Sequence, residues 1–264
     1  MTAYRLTFSF LRELKMKIKF LGTSAGWPLP RLGCNCKVCS SRDARDTRTR
    51  SQALINETLL LDIGPDTYNH LKQLNLEKLL CAAITHEHPD HTFGLWDLSH
   101  LYNDHPKIKV IINENTFRKI RSLFFPGEYE LVKVESEQKI KLEQLTVSLW
   151  PVHHTKESSF GILVEEGNKK FFWAPDFKSL PEGTKKVLKN IDGLAIDGSE
   201  LKVKTPWHQT IEEGILLGKG LEAKKVYFIH LGHRILPQQE LEQFLLEKGG
   251  KQFQTAYDGL EVEI

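Results

Sequence analysis

The sequence predicts an α/β protein built from two mixed β-sheets covered by outer helices. Two observations carry that expectation. From residue 16 onward, short apolar runs of β type alternate with segments of helical pattern, as crossover connections require. Between two of the apolar runs lies Glu166-Gly167-Asn168, which reads as a hairpin turn and adds antiparallel pairing to the same fold. No internal repeat, low-complexity tract or linker divides the chain, and 264 residues with 40% hydrophobic content can bury a sizeable core. One domain is expected over residues 16–264.

The first strand is expected at 17–21, directly after a second methionine, Met16. Residues 1–15 then read as an extension outside the fold. Their patch Leu6-Thr7-Phe8-Ser9-Phe10-Leu11 is too short to span a membrane and lacks a small-residue cleavage site, so neither a membrane partner nor secretion is expected. Further strands are expected at 58–62, 79–85, 107–112, 145–150, 160–164, 169–173, 193–196 and 226–229, several bounded by Gly, Pro or Asp. Helices are expected at 65–74, 116–124, 181–189, 210–217 and 237–247, some opening on a Pro or Thr start signal. The polar, charged stretch 42–50 is expected to be a solvated loop. Gly22-Thr23-Ser24-Ala25-Gly26 reads either as a phosphate-approaching loop or as a tight turn.

A net charge of +2 and a pI near 8.2 produce no strong field, which disfavours a long nucleic-acid footprint and remains compatible with a small anionic substrate. Of four cysteines, Cys34, Cys36 and Cys39 are spaced too tightly for ordinary disulfides and well for thiolate ligation of a metal. That usage indicates a reducing, cytoplasmic setting. Cys81, inside an apolar run, reads as a small buried hydrophobe.

The densest chemistry lies in Thr85-His86-Glu87-His88-Pro89-Asp90-His91, at the end of a predicted strand. His86, His88, Asp90 and His91 are ligands suited to zinc, manganese or iron, and without a cation they could not all be buried. This His-x-His-x-Asp-His pattern resembles the signature of the metallo-β-lactamase superfamily over nearly the whole chain from Met16. The resemblance implies an αββα sandwich with a two-metal site at one edge. It also implies a ligand set: His86, His88 and His154 on one metal, Asp90, His91 and His230 on the other, and Asp176 bridging them. His153 competes with His154, and the resemblance favours His154. His70, His100 and His105 have no ligand partners in the pattern and are expected at the surface.

The cysteine loop offers three thiolates, one short of a tetrahedral structural zinc, and His233 in His230-Leu231-Gly232-His233 is the candidate fourth ligand. This pairing is similar to the branch that contains the phosphoribosyl 1,2-cyclic phosphate phosphodiesterases of the carbon-phosphorus lyase pathway. A similar loop occurs in the B-type proteins of pyrroloquinoline quinone biosynthesis. In the phosphodiesterase branch a histidine placed like His208 resembles a general acid, which Asp197 would orient; the bland alternative is a helix-flanking residue.

The expectation is therefore a binuclear phosphodiesterase using two divalent metals, Mn or Zn with Fe as a further candidate, plus one structural Zn. A metal-activated hydroxide would attack a cyclic ribose phosphate or similar small phosphodiester, and His208 would protonate the leaving oxygen. Two rivals are a tRNA 3′-end-type nuclease and a non-hydrolytic accessory protein. A homodimer is compatible with the sequence.

Overall fold

The computed structural model describes residues 15–101, 106–124 and 127–264. The first sheet contains, in spatial order, β14 (Glu261–Glu263), β1 (Lys17–Gly22), β2 (Gln52–Ile55), β3 (Leu59–Leu61), β4 (Cys81–Ala83), β5 (Lys109–Asn113) and β6 (Glu130–Val134). The second contains β13 (Phe253–Thr255), β12 (Val226–Ile229), β11 (Gly193–Asp197), β10 (Lys169–Ala174), β9 (Phe160–Glu166), β8 (Leu145–Pro151) and β7 (Ile140–Leu142). Each sheet is mixed. Pairing is antiparallel from β14 to β3 and parallel from β3 to β6, parallel from β13 to β10 and antiparallel from β10 to β7. The expected hairpin joins β9 to β10, pairing Glu166 with Lys169.

Side-chain alternation assigns every strand two faces. Ile18, Phe20, Leu59, Leu61, Cys81 and Ala83 from the first sheet meet Val147, Leu149, Phe171, Trp173, Tyr227 and Ile229 from the second in one buried layer. The intervening residues face outward and are covered by helices. On the first sheet Leu60, Ala82 and Ile84 lie under α1 (Thr67–Leu71), α3 (Leu95–Ser99) and α4 (Glu114–Ile120). On the second, Phe172, Ile196 and Phe228 lie under α5 (Glu182–Val187), α6 (Ile211–Gly220) and α7 (Gln238–Lys248). The result is the expected αββα sandwich. A short α2 (Pro89–Thr92) completes the set; no helix of the described residues is long and apolar enough to cross a membrane.

The boundaries follow local chemistry. α6 opens on a capping box in which Thr210 accepts from the Glu213 amide and Glu213 accepts from the Thr210 amide. α2 starts with Pro89 at its first position, where a missing amide costs nothing.

Two expectations are corrected here. The 42–50 stretch is not a solvated loop throughout, because Arg48 is 2% exposed and donates to Thr23 Oγ1 at 2.7 Å, to the Ala256 carbonyl at 2.6 Å and to Gln238. His70 is likewise buried, bonded through Nδ1 to Gln52 Oε1 at 2.6 Å and through Nε2 to Thr49 Oγ1 at 2.8 Å. Of the two readings left open for residues 22–26, the tight turn agrees with the structure, since the amides of Thr23, Ser24 and Ala25 are already bound to the carbonyls of Thr49 and Leu231. His100 is exposed, and His105 and the 1–14 segment lie outside the described residues.

Gly161 on β9 is required by packing, since a Cβ there would stand 2.1 Å from the Phe172 ring. Gly161→Ala should lower unfolding stability by about 1–3 kcal/mol through overpacking, read as a smaller urea midpoint at unchanged slope.

Candidate metal centre

The site forms where strands of both sheets run out at one edge. β4 ends two residues before Thr85 and His86, β10 two before Asp176, β11 on Asp197, and β12 immediately before His230. His154 follows β8. These strand ends converge because each backbone leaves the sheet there, freeing polar side chains to point across the edge.

Asp176 lies at the middle and is 4% exposed. Its Oδ2 is 3.0 Å from His154 Nε2, 3.6 Å from His86 Nε2 and 3.8 Å from His88 Nδ1, and it is also 3.9 Å from His230 Nε2. Asp90 Oδ2 sits 3.2 Å from His91 Nε2 and 3.4 Å from His230 Nε2. Three overlapping groups result, His86, His88, His154 and Asp176 on one side, Asp90, His91 and His230 on the other, and Asp176, Asp197, His208 and His230 across the middle, each with ligand atoms within 4.8 Å of one another. Every expected active-site residue is in this cluster. His153 is not: its ring bonds to Ser179 Oγ at 2.8 Å, and it joins none of the groups.

These residues fit divalent metal on their own chemistry. His86 Nε2 and His91 Nε2 are buried and have no hydrogen-bond partner, a costly arrangement that ligation would relieve. The outer ring nitrogens of three of these histidines are held, while His230 Nδ1 is buried without a partner. His86 Nδ1 contacts Thr85 Oγ1 at 3.0 Å, His91 Nδ1 donates to Asp62 Oδ2 at 3.0 Å, and His154 Nδ1 donates to the Trp207 carbonyl at 3.1 Å. Such outer partners fix the tautomer and leave the inward nitrogen free for a metal.

Charge in the cluster sorts by neighbour. Burial, aided by the nearby His91, holds His86 down to about 4 and keeps it neutral. Burial opposes ionisation of Asp176 too, but the surrounding His230, His154, His208 and His86 outweigh it and hold the carboxyl well below its usual range. His91 is also desolvated, yet Asp90 and Asp62 on its two sides raise it well above the ordinary imidazole value.

His208, just before α6, enters the same space. Its Nδ1 donates to Asp197 Oδ2 at 2.8 Å and lies 2.9 Å from Asp176 Oδ1. Burial lowers its proton affinity, but the two carboxylates override this and push it up to about 11. Asp197 is itself fully buried and accepts from the Ser199 amide at 2.8 Å.

Asp62 was not singled out by the sequence pattern, although it closes an expected strand. It is fully buried and accepts from Thr85 N at 2.9 Å, Thr85 Oγ1 at 2.8 Å, Trp173 Nε1 at 2.9 Å and His91 Nδ1. One carboxylate thereby aligns His91 directly and His86 through Thr85.

A second candidate site lies in the cysteine loop. Cys34, Cys36, Cys39 and His233 bring their ligand atoms within 4.8 Å of one another, with His233 Nδ1 3.2 Å from Cys34 Sγ and 3.8 Å from Cys36 Sγ. The Arg31 and Cys39 amides point at Cys39 Sγ and Cys36 Sγ, as they would toward thiolates. Cys81 is buried in β4, apart from this group.

A sequence model described as "Beta-lactamase superfamily domain" matches residues 57–231. Among curated relatives, the chain is 28% identical to an octanoyltransferase of Porphyromonas gingivalis over 94% of this chain, and spans about half of that protein's length (52%). It is 21% identical to coenzyme PQQ synthesis protein B of Methylobacterium radiotolerans over 94% of this chain and 100% of that one. Among solved structures, a new diphosphatase from the PhnP family is 27% identical with a TM-score of 0.84, covering 95% of this chain and 98% of that chain. Zn(2+)-bound PqqB from Methylobacterium extorquens shares the fold at 19% identity and a TM-score of 0.79, over 94% and 100% of the two chains.

Asp62→Asn would place an amide donor against existing donors, and should weaken active-site metal affinity about 10- to 100-fold in competition with a chelator. Cys36→Ser should lower the metal content of purified protein by about one equivalent and reduce its thermal stability, measured by elemental analysis and calorimetry.

Proposed function

The chain belongs to the β-lactamase superfamily, and from that footing we propose that it is a binuclear metal-dependent phosphodiesterase acting on a small phosphodiester, with a cyclic ribose phosphate the leading candidate. The observation that carries this reading is the hydrogen bond from His208 to Asp197 beside Asp176. A sugar alkoxide is a poor leaving group, and a placed acid contributes about 100- to 10,000-fold to its departure. A lactam hydrolase has less need of one.

When bound at the two groups of ligands, divalent cations would supply an activated water and charge stabilisation at the phosphoryl oxygens. The protein's own residues do the rest. Asp197 fixes the ring of His208 through Nδ1 and favours its protonated form, so that Nε2 on the opposite side carries the proton to the leaving oxygen. Asp62, Thr85 and the Trp207 carbonyl keep the ligand rings in one orientation and remove the need to reorganise them during turnover.

The net charge of +2 supports a small substrate over RNA, and a full set of ligand residues supports hydrolysis over an accessory role. Manganese, zinc and iron all suit imidazole and carboxylate ligands; the thiolate site suits zinc. A reducing compartment, the cytoplasm, agrees with three clustered free thiols.

Metal-loaded protein should be assayed against a ribose cyclic phosphate, a linear phosphodiester, a lactam and a precursor tRNA. Turnover of the cyclic ester is expected; hydrolysis of the lactam or tRNA alone would overturn the assignment. His208→Ala should slow the cyclic-ester reaction at least about 100-fold while leaving active-site metal content unchanged.

A further inference from the structure

The residue between the first two histidine ligands, Glu87, belongs to a hydrogen-bonded group that neither the ligand set nor the acid includes. Its side chain is 15% exposed and points away from the metal ligands, toward α4 and the loop after β8. Lys119 Nζ on α4 donates to Glu87 Oε1 at 2.6 Å and to Ser158 Oγ at 2.6 Å, and Ser158 Oγ donates to Glu87 Oε2 at 2.7 Å. The triangle is closed. Around it Thr155 Oγ1 contacts Ser158 Oγ at 2.9 Å and Ser159 Oγ at 2.7 Å, while Thr116 Oγ1 and Asn115 Nδ2 of α4 donate to the carbonyls of Ser158 and Glu157 at 2.8 and 3.1 Å.

This placement matters because Glu87 and Ser158 sit on the two chain segments that supply the first ligand group. Glu87 lies between His86 and His88. Ser158 is in the 155–159 loop that begins immediately after His154. Three other ligand rings have their own anchors: His86 has Thr85, His91 has Asp62, His154 has the Trp207 carbonyl; His230, in the second group, has its Nδ1 buried without one. The ring of His88 has none of that kind, since among the described residues it hydrogen-bonds only to His154 at 3.3 Å, inside the cluster, and its side chain is 40% exposed. Its position relative to His154 therefore follows from how the two segments are tied together: the Phe160 amide donates to the Thr85 carbonyl at 3.1 Å on the strand side, and the Lys119, Glu87 and Ser158 triangle is the side-chain tie nearest His88. The second group, Asp90, His91 and His230, is supported from Asp62 and β12 and does not touch it.

We propose that Lys119 is a positioning residue for the first metal subsite: through Glu87 and Ser158 it sets the spacing of His86 and His88 against His154. The inference rests on the two-subsite reading above and is independent of which phosphodiester is the substrate. It also gives α4 a role beyond covering the first sheet, since three of its side chains are committed to this one loop.

The test is a titration of full-length protein with Mn2+, which the thiolate loop takes up poorly, read by its magnetic resonance signal against a chelator. In wild-type protein two equivalents are expected. In Lys119→Met one equivalent should weaken about 10- to 100-fold while the other keeps its affinity; Lys119→Arg, which retains the charge and donors, should restore most of the loss, and Ser158→Ala should reproduce part of it. Unchanged affinity at both equivalents overturns the proposal. Equal weakening of both, accompanied by a lower unfolding midpoint of the metal-free protein, overturns it as well, because that is the signature of general support for the fold. A wild-type protein that takes up little Mn2+ is titrated with Zn2+ instead, and the same comparison is made on the equivalents beyond the one held by the thiolate loop; a wild-type protein with no such further equivalents of either metal would defeat the two-metal reading itself, before any variant is compared.

Discussion

A carboxylate that is almost wholly removed from water can keep its charge only if cations or donors surround it, and Asp176 is in that position. Around it the chain places His86, His88, His154, His208 and His230, each within 4 Å of a carboxylate oxygen. The imidazoles have the same problem in reverse: several are buried too deeply to be charged without an acid beside them. The cluster is thus a set of groups none of which would be stable alone in that place. Divalent metal is the simplest partner that satisfies all of them, because it accepts lone pairs from neutral rings and charge from carboxylates together.

Everything else in the fold serves to deliver those side chains to one edge. The parallel halves of both sheets point their C-terminal ends the same way, so ligands distant in sequence, from His86 to His230, arrive from strands that pack face to face. The layer shared by the sheets, with Phe20, Trp173 and Tyr227 in contact, fixes the distance between the strand ends. Trp173 joins the two functions, since its ring fills that layer while its Nε1 donates to Asp62.

Much of this was legible in the sequence, and the parts that were not have physical reasons. All the apolar runs singled out as strands are strands, because inner strands are buried on both faces and carry strong hydropathy. The four strands that were missed at the sheet margins, β14, β6, β13 and β7, are short edge strands, three of them with charged residues such as Glu261, Lys133 and Lys141, a common protection against edge pairing that also hides them from a hydropathy reading. β2 was missed although buried throughout, since Gln52-Ala53-Leu54-Ile55 follows the charged 42–50 stretch without a turn signal. In the site, residue types and spacing marked the side chains that the fold brings together, because the residues able to hold a metal are restricted to a few types. Asp62, Lys119 and Ser158 were invisible for the opposite reason: a hydrogen-bond partner can come from many residue types at any separation, and only the fold shows which one was used.

Two of the residues at the centre also bear a conformational burden. His230 and Asp62 both adopt left-handed backbone, with φ of 54° and 62°, at the ends of strands that finish at the site. For a side chain with a Cβ this geometry is unfavourable, by roughly 1 kcal/mol, and glycine would relieve it. At Asp62 that relief is outweighed, because the carboxylate satisfies four buried donors that glycine would leave unpaired. At His230 nothing of that kind opposes it, since Nδ1 is buried without a partner. There, selection for a sturdier protein and selection for a working one pull toward different amino acids. A library screened only for heat resistance would be drawn to Gly at 230, and its winners would be well-folded shells with an inert edge.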